Sequence, residues 1–176
     1  MRFRFEPLGD HDRAAFSCGN ENIDRFLRTT ASQHQDRRIA KTMIAVDADG
    51  DPRQIVGFYT VIPHEFRGEE LPDPFRKATR AGRLSAVPGA LLAQLAVNAP
   101  FQGQGVGKVL VKHALLRIAG LADDWGCAAV VTDPIDDRAR SLYRGFDFEP
   151  LREGSNRMIV ATKTLIAAIE RSRMRG

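Results

Sequence analysis

Cysteine, tyrosine and tryptophan are scarce in this 176-residue chain, which has two Cys, two Tyr and one Trp. Cys18 and Cys127 stand far apart with no CxxC spacing, so neither a zinc site nor a disulfide framework is indicated, and both thiols are expected to be reduced. His11, His34, His64 and His113 show no ligand spacing either, and no metal is expected. No apolar run approaches the ~18 residues of a membrane span. The opening Met1-Arg2-Phe3-Arg4-Phe5-Glu6 also lacks the continuous apolar segment of a secretory signal. A cytoplasmic protein with no membrane partner is expected. Internal repeats and low-complexity segments are absent.

What is present is the composition of a globular protein: 43% hydrophobic and 27% charged residues, with 15 Gly and 9 Pro. The length suits one domain spanning residues 1–176. Lys and Arg number 26 against 22 Asp and Glu, a net charge of +4. The surplus is uneven. Arg76, Lys77, Arg80 and Arg83 fall in one segment and Arg171, Arg173 and Arg175 crowd the C-terminus, which is compatible with a phosphate-contacting face or with an ordinary solvated surface.

Residues 2–6 alternate as a half-buried strand does, and from Ile23 the period becomes helical through Phe26, Leu27, Thr30 and Ala31 to about Gln35, with Asn20 or Asn22 as N-cap. Lys41 to Val46 and Gln54 to Ile62 read as a hairpin around Asp47-Ala48-Asp49-Gly50-Asp51-Pro52. Pro63 to Gly89 has no clean period. Leu91 to Val97 reads as a strand, and a helix follows with the stripe Val106, Leu110, Ala114, Ile118 and Leu121, ended by Gly120 and Gly126. The apolar Cys127 to Thr132 suits a strand covered on both faces. Asp136 or Asp137 can cap a helix through Tyr143, Phe146 to Leu151 and Met158 to Thr164 flank a turn, and Leu165 to Arg173 reads as a basic helix.

Strand, glycine-rich loop and helix form an anion-binding arrangement, because loop glycines let backbone N–H groups approach a phosphate at the positive end of the helix. The loop is Gln102-Gly103-Gln104-Gly105-Val106-Gly107-Lys108. A Walker loop is disfavoured, since Gln102 stands at its first position and Val109 follows Lys108. The dinucleotide pattern fails in both frames, at Lys108 and at Leu110. The remaining pattern, Gln102-x-x-Gly105-x-Gly107, resembles the pyrophosphate signature of the GNAT acetyltransferase superfamily. A narrower likeness lies in Phe16-x-Cys18-Gly19, Ile23-Asp24-x-Phe26-Leu27, Gly57-Phe58-Tyr59-Thr60, the run from Val87 to Val97, and Leu142-Tyr143. Together these resemble the acetyltransferase toxins of bacterial type II toxin–antitoxin systems. Gln94 stands where those toxins often have Arg, and Asp147 replaces the glycine of their Tyr-x-x-Phe-Gly-Phe ending.

The resemblance implies an α/β fold of GNAT type, a central mixed, mostly antiparallel sheet with splayed parallel strands flanked by helices. It implies acetyl-CoA as cofactor. Leu95, Ala96 and Val97 would offer backbone groups to its pantetheine arm, and the amides of Gln102, Gly103, Gln104, Gly105, Val106, Gly107 and Lys108 would hold its pyrophosphate. Tyr143 would be the acid, since a phenol of ordinary pKa near ~10 stays protonated at neutral pH and can reprotonate a departing thiolate. The implied acceptor is the amino group of aminoacyl-tRNA, contacted by Arg76, Lys77, Arg80, Arg83, Arg171 and Arg173, and the implied partner is a ribbon-helix-helix antitoxin. A homodimer stays open. No strong base stands out. An α-amine with a pKa near ~7.7 to 8.0 hardly needs one, and Glu65, Asp133 and Glu149 remain alternatives. Two other readings are acetylation of a small amine or protein N-terminus, and a non-catalytic acetyl-CoA sensor or RNA-binding module.

Overall fold

The computed structural model describes residues 2–79 and 86–173, with the side chains of 78, 79, 172 and 173 left out. Its strands are β1 (Phe3–Pro7), β2 (Lys41–Asp47), β3 (Gly57–Phe66), β4 (Val87–Val97), β5 (Ala129–Thr132), β6 (Glu149–Pro150) and β7 (Met158–Ala161). They form one seven-stranded sheet in the order β1-β2-β3-β4-β5-β7-β6. Of the described pairings only β4 with β5 is parallel. The chain divides into two compact units, Met1–Ile62 with Ala93–Val111 and Pro63–Leu92 with Lys112–Gly176.

In the first unit, β1 pairs with β2 from Phe3–Asp47 to Pro7–Met43, and β2 with β3 from Lys41–Val61 to Ala45–Gly57. The expected hairpin forms, but β3 starts at Gly57 rather than Gln54. Asp51 prolongs the turn, its carboxylate accepting from the Arg53 amide at 2.8 Å and its carbonyl from the Gln54 amide at 3.1 Å. The expected helix is three pieces: α1 (Glu21–Arg25), a π turn (Phe26–Thr30) and α2 (Ala31–Asp36). Asn20 caps it, accepting from the amides of Asn22 and Ile23. The π turn arises where the Thr29 hydroxyl donates to the Arg25 carbonyl at 2.8 Å and the Ala31 amide bonds back five residues to Phe26. Phe16, Leu27, Ile44, Val46, Ile55 and Phe58 make the core here, with the Phe16 and Phe58 rings edge-to-face at 5.4 Å. Each large side chain so buried contributes about 1.5–3 kcal/mol.

In the second unit, β5 pairs with β4 from Gly89–Ala129 to Leu92–Thr132, and β7 pairs with β5 from Ala129–Ala161 to Thr132–Met158. All four residues of β5 are buried, as its apolar run requires. The aperiodic segment after Pro63 first prolongs β3 to Phe66, then makes a 3₁₀ turn (Gly68–Glu70) and α3 (Asp73–Thr79). Helix α5 (Asp137–Arg144) is capped by the Asp136 carboxylate, which accepts from the Ala139 amide. β6 is shorter than expected because the preceding residues end α5. The amides of Phe146 and Phe148 bond to the Tyr143 carbonyl, and Asp147 adopts φ +62°. This is the left-handed helix stop at which glycine is usual. α6 (Thr162–Arg173) begins three residues early and cuts β7 short. Phe66, Leu71, Val87, Val131 and Ile159 form the core of this unit.

Helix α4 (Val106–Trp125) runs through both units and buries Val106, Leu110, Val111, Ala114, Leu115 and Ile118 while Lys108, Lys112 and Arg117 stay in solvent. It continues through Gly120 and stops before Gly126. Among the described residues no helix is long and apolar enough to cross a membrane.

Candidate functional site

The glycine loop belongs to the first unit and is braced from below. Asn98, buried where β4 ends, donates from its amide to Val56 O at 2.9 Å and from its side chain to Ile55 O at 2.8 Å. Its side-chain oxygen accepts from the Ser17 amide at 3.3 Å, and the Ala99 amide bonds to Ser17 O at 2.8 Å. Ser17 and Cys18 are held from the other side by Asp24, only 3% exposed, which accepts from the Cys18 amide at 2.8 Å and the Ser17 hydroxyl at 3.2 Å. The Gln102 side chain closes the lattice, donating to Cys18 O at 2.9 Å and Val97 O at 3.0 Å. Motifs far apart in sequence thus converge beneath one loop.

Above that brace, Gly103 and Gly105 adopt φ +75° and +81°, and a Cβ added at either would meet nothing within 4 Å. The amides at both ends of the row are engaged, Gln102 with Ala99 O at 3.2 Å and Lys108 with Gly105 O at 3.0 Å. Those of Gly103 to Gly105 lead into a 20-residue helix and those of Val106 and Gly107 lie in its first turn, where the chain offers no intrahelical carbonyl and the helix dipole is positive. Unfilled space, two glycines in a conformation that side chains disfavour, and donors at a helix start fit a diphosphate. Gln102 itself is a clamp; its side chain is spent on the protein. A hollow of about 540 Å³ in the same unit is lined by Asp12, Ser17, Asp51, Gln54 and Asn98, and its two carboxylates suit no phosphate.

Of the β4 residues, Ala96 is buried and its carbonyl faces β3, 2.9 Å from where a Gly57 Cβ would stand. The alternation of a strand therefore aims the carbonyls of Leu95 and Val97 toward the opposite edge. That of Val97 is taken by Gln102. The β4–β5 ladder ends at Leu92–Thr132, although β4 continues five residues to Val97. Pro134, two residues past Thr132, has no N–H with which to prolong it.

Tyr143 lies in the second unit on α5, 5% exposed, its ring 5.4 Å from that of Phe148. Burial pushes its pKa up, so the phenol is protonated at neutral pH. The bases left open by the sequence fare differently. Asp133 is locked in a two-pronged pair with Arg157, at 2.9 and 2.7 Å, whose guanidinium holds the carboxylate below its usual range. Such an acid is a poor proton acceptor. Glu65 and Glu149 are exposed. His64, edge-on to Phe66 at 4.7 Å, is held below the usual imidazole pKa by burial and then by Arg157, and so is neutral near pH 7. Burial also raises both thiols, Cys18 to about 11 with help from Asp24, and Cys127 in the same direction.

Of the basic residues, Arg76 is paired with Asp73, while Lys77 and Arg171 are exposed. Arg80 and Arg83 lie outside the described residues, as does the Arg173 side chain. Sequence reasoning missed the parts of Asp24 and Asn98. The available signal was an Asp beside Ile23 on the buried face of a helix, and an Asn closing an apolar strand directly before a glycine loop.

Residues 10–148 match the acetyltransferase (GNAT) family. A probable toxin TacT of Sinorhizobium fredii is 31% identical over 91% of this chain and 91% of its own length. A tRNA-acetylating toxin of Mycobacterium tuberculosis is 30% identical over 78% of each. Two solved structures of AtaT, both 24% identical, share the fold. One, complexed with acetyl-methionyl-tRNAfMet, has a TM-score of 0.83 and covers 96% of this chain and 99% of that one. The other, a tyrosine-to-phenylalanine mutant bound to the C-terminus of the antitoxin AtaR and to acetyl-CoA, has a TM-score of 0.78 and covers 95% and 98%.

Proposed function

Since the chain belongs to the acetyltransferase (GNAT) family and is an acetyl-CoA-dependent N-acetyltransferase, we propose that its acceptor is the α-amino group of aminoacyl-tRNA and that it acts as a toxin that blocks translation. What carries the reading is the relative called a tRNA-acetylating toxin, matched over most of both chains. Residues 1–176 are taken as one catalytic domain acting in the cytoplasm, restrained by a ribbon-helix-helix antitoxin. A homodimer is compatible with this reading.

Acetyl-CoA supplies an activated thioester and, after transfer, a thiolate that needs a proton. The amides from Gly103 to Gly107 would bind the diphosphate, with Gln102 and Lys108 closing the ends of the row, and of the Leu95 to Val97 carbonyls that of Leu95, aimed away from β3 and not taken by Gln102, would orient the pantetheine arm. Tyr143 holds the proton for the leaving sulfur. No residue is needed to strip the acceptor, because an α-amine is partly neutral near pH 7, whereas a lysine side chain at ~10.4 would need a base. Asp133, committed to Arg157, supports that economy. Lys77, Arg171, Arg80, Arg83 and Arg173 contact tRNA phosphates, and Arg76 joins them only by giving up Asp73.

The test is transfer of labelled acetyl from acetyl-CoA to bulk charged tRNA, uncharged tRNA and small amines, with wild type beside an Arg80→Glu/Arg83→Glu variant. Wild type should label only charged tRNA. The variant should bind it more weakly, with a flatter salt dependence, because fewer counterions are released. Label on small amines but not on charged tRNA overturns the reading and makes the enzyme a small-amine acetyltransferase.

A further inference from the structure

Asp24 is buried on α1, and the donors that meet its carboxylate are neutral, the Cys18 amide at 2.8 Å and the Ser17 hydroxyl at 3.2 Å. The amide leads further than the brace. Cys18 N–H and Ser17 C=O belong to one peptide group, and the Ser17 carbonyl accepts from Ala99 N–H at 2.8 Å. That N–H shares its peptide with Asn98 C=O, which accepts from Phe101 N–H at 2.9 Å. The Phe101 peptide in turn carries Pro100 C=O, which accepts from the Gln104 side chain at 3.1 Å. Each of these peptides is trans, so its N–H and C=O leave on opposite sides and the three stand head to tail. A chain of four hydrogen bonds thus runs, all within the first unit, from a buried carboxylate to the residue between Gly103 and Gly105. A charged acceptor makes the first bond roughly twice as strong as a neutral one, and each peptide so polarised strengthens the next by about 10–30%.

A carboxylate met by neutral donors is costly to bury, and a negative charge in the brace of a diphosphate site also works against the ligand. Its presence has a use only if the order it imposes outweighs both. We propose that Asp24 is a positioning residue for acetyl-CoA: through this chain it holds the Gln104 side chain on Pro100, so that the amides between Gly103 and Gly107 are set for the diphosphate before it arrives. The proposal rests on the loop as the diphosphate site. Gln104 stands between two glycines at positive φ, whose freedom would otherwise let the crest of the loop wander. Tying the crest down removes that freedom in advance, and a site ordered before binding loses less on binding.

The test is Asp24→Asn, which keeps the shape, an oxygen for the Cys18 amide and a nitrogen for the Ser17 oxygen, and removes the charge. Calorimetry should show acetyl-CoA affinity falling roughly 3- to 10-fold. The sign is decisive, since removal of a charge that merely repels the diphosphate tightens binding. Kinetics with the acceptor that wild type labels should place the loss in KM for acetyl-CoA and not in kcat. The loss should be absent with S-acetylpantetheine, a donor without the diphosphate. Gln104→Leu, which cuts the far end of the chain at an exposed side chain, should show the same split. In Asp24→Asn the amide proton resonances of Cys18, Ala99 and Phe101 should also move upfield together, least at Phe101, as their hydrogen bonds weaken. If Asp24→Asn does not fold, Asp24→Ser is read in the same way. Unchanged or tighter acetyl-CoA binding overturns the proposal. So does an equal loss with both donors, which marks general damage to the fold, and so do full affinity in Gln104→Leu or resonances of Ala99 and Phe101 that stay put. A wild type that uses the two donors with equal kcat/KM overturns the loop as the diphosphate site itself, which separates failure of that reading from failure of Asp24.

Discussion

The glycine loop and the surroundings of Tyr143 are built on opposite principles. The loop, in the first unit, works through backbone: its donors are amides, its glycines are exposed at φ +75° and +81°, and the side chains nearby, Asn98, Asp24 and Gln102, face inward to hold the loop's shape. The surroundings of Tyr143, in the second unit, present one side chain, buried and packed against the Phe148 ring. A backbone site tolerates changes of residue as long as shape survives. A side-chain site tolerates changes of shape only while one hydroxyl survives.

Tyr143→Phe should break the comparison most sharply. Turnover should drop ~100- to 10,000-fold, the worth of a general acid, while calorimetry finds acetyl-CoA bound as in wild type. Unchanged turnover would take Tyr143 out of the chemistry. Gly105→Glu should give the opposite signature. A side chain at φ +81° costs about 1–3 kcal/mol, and its carboxylate stands where the diphosphate should sit, so acetyl-CoA affinity should fall by roughly two orders of magnitude. Equal affinity in the two proteins would remove the diphosphate from this loop.

The smallest effect sharpens the contrast. Asp147 takes, at φ +62°, the kind of backbone conformation that glycines take in the loop, but here it serves only to stop α5. Asp147→Gly should raise stability by up to about 1 kcal/mol, read as a rise in the denaturation midpoint, with no change in turnover. A fall in activity would mean that the Asp147 side chain has a role beyond the turn.

The loop was legible in the sequence because its chemistry is local: a strand, spaced glycines and an amphipathic stripe all lie between Leu91 and Leu121. The strand order was less so. Nothing local announces that β7 lies between β5 and β6, since that choice belongs to pairing across the chain. The π turn was hidden by its own regularity, because Ile23 to Ala31 keep a helical period and the single extra residue follows from the Thr29 hydroxyl. Asp24 stood in the sequence only as part of the Ile23-Asp24-x-Phe26-Leu27 likeness, because one carboxylate on a helix says nothing of the two donors that reach it from Ser17 and Cys18. Asp147 was read only as a departure from a likeness; its positive φ explains why glycine is the usual residue there.

The fate of Cys18 bears on the handling of the donor. Its carbonyl helps pin the glycine loop, while burial and Asp24 push its thiol to about 11. Near pH 7.5 roughly one such group in a few thousand is thiolate, and only the thiolate attacks thioesters and disulfides. Cys127, also raised by burial, is quiet for the same reason. Both thiols are therefore held largely in their unreactive, protonated form near neutral pH. In practice, an aromatic disulfide reagent added during turnover should register the coenzyme A set free ahead of the protein's own sulfur, so acetyl transfer can be followed continuously by colour.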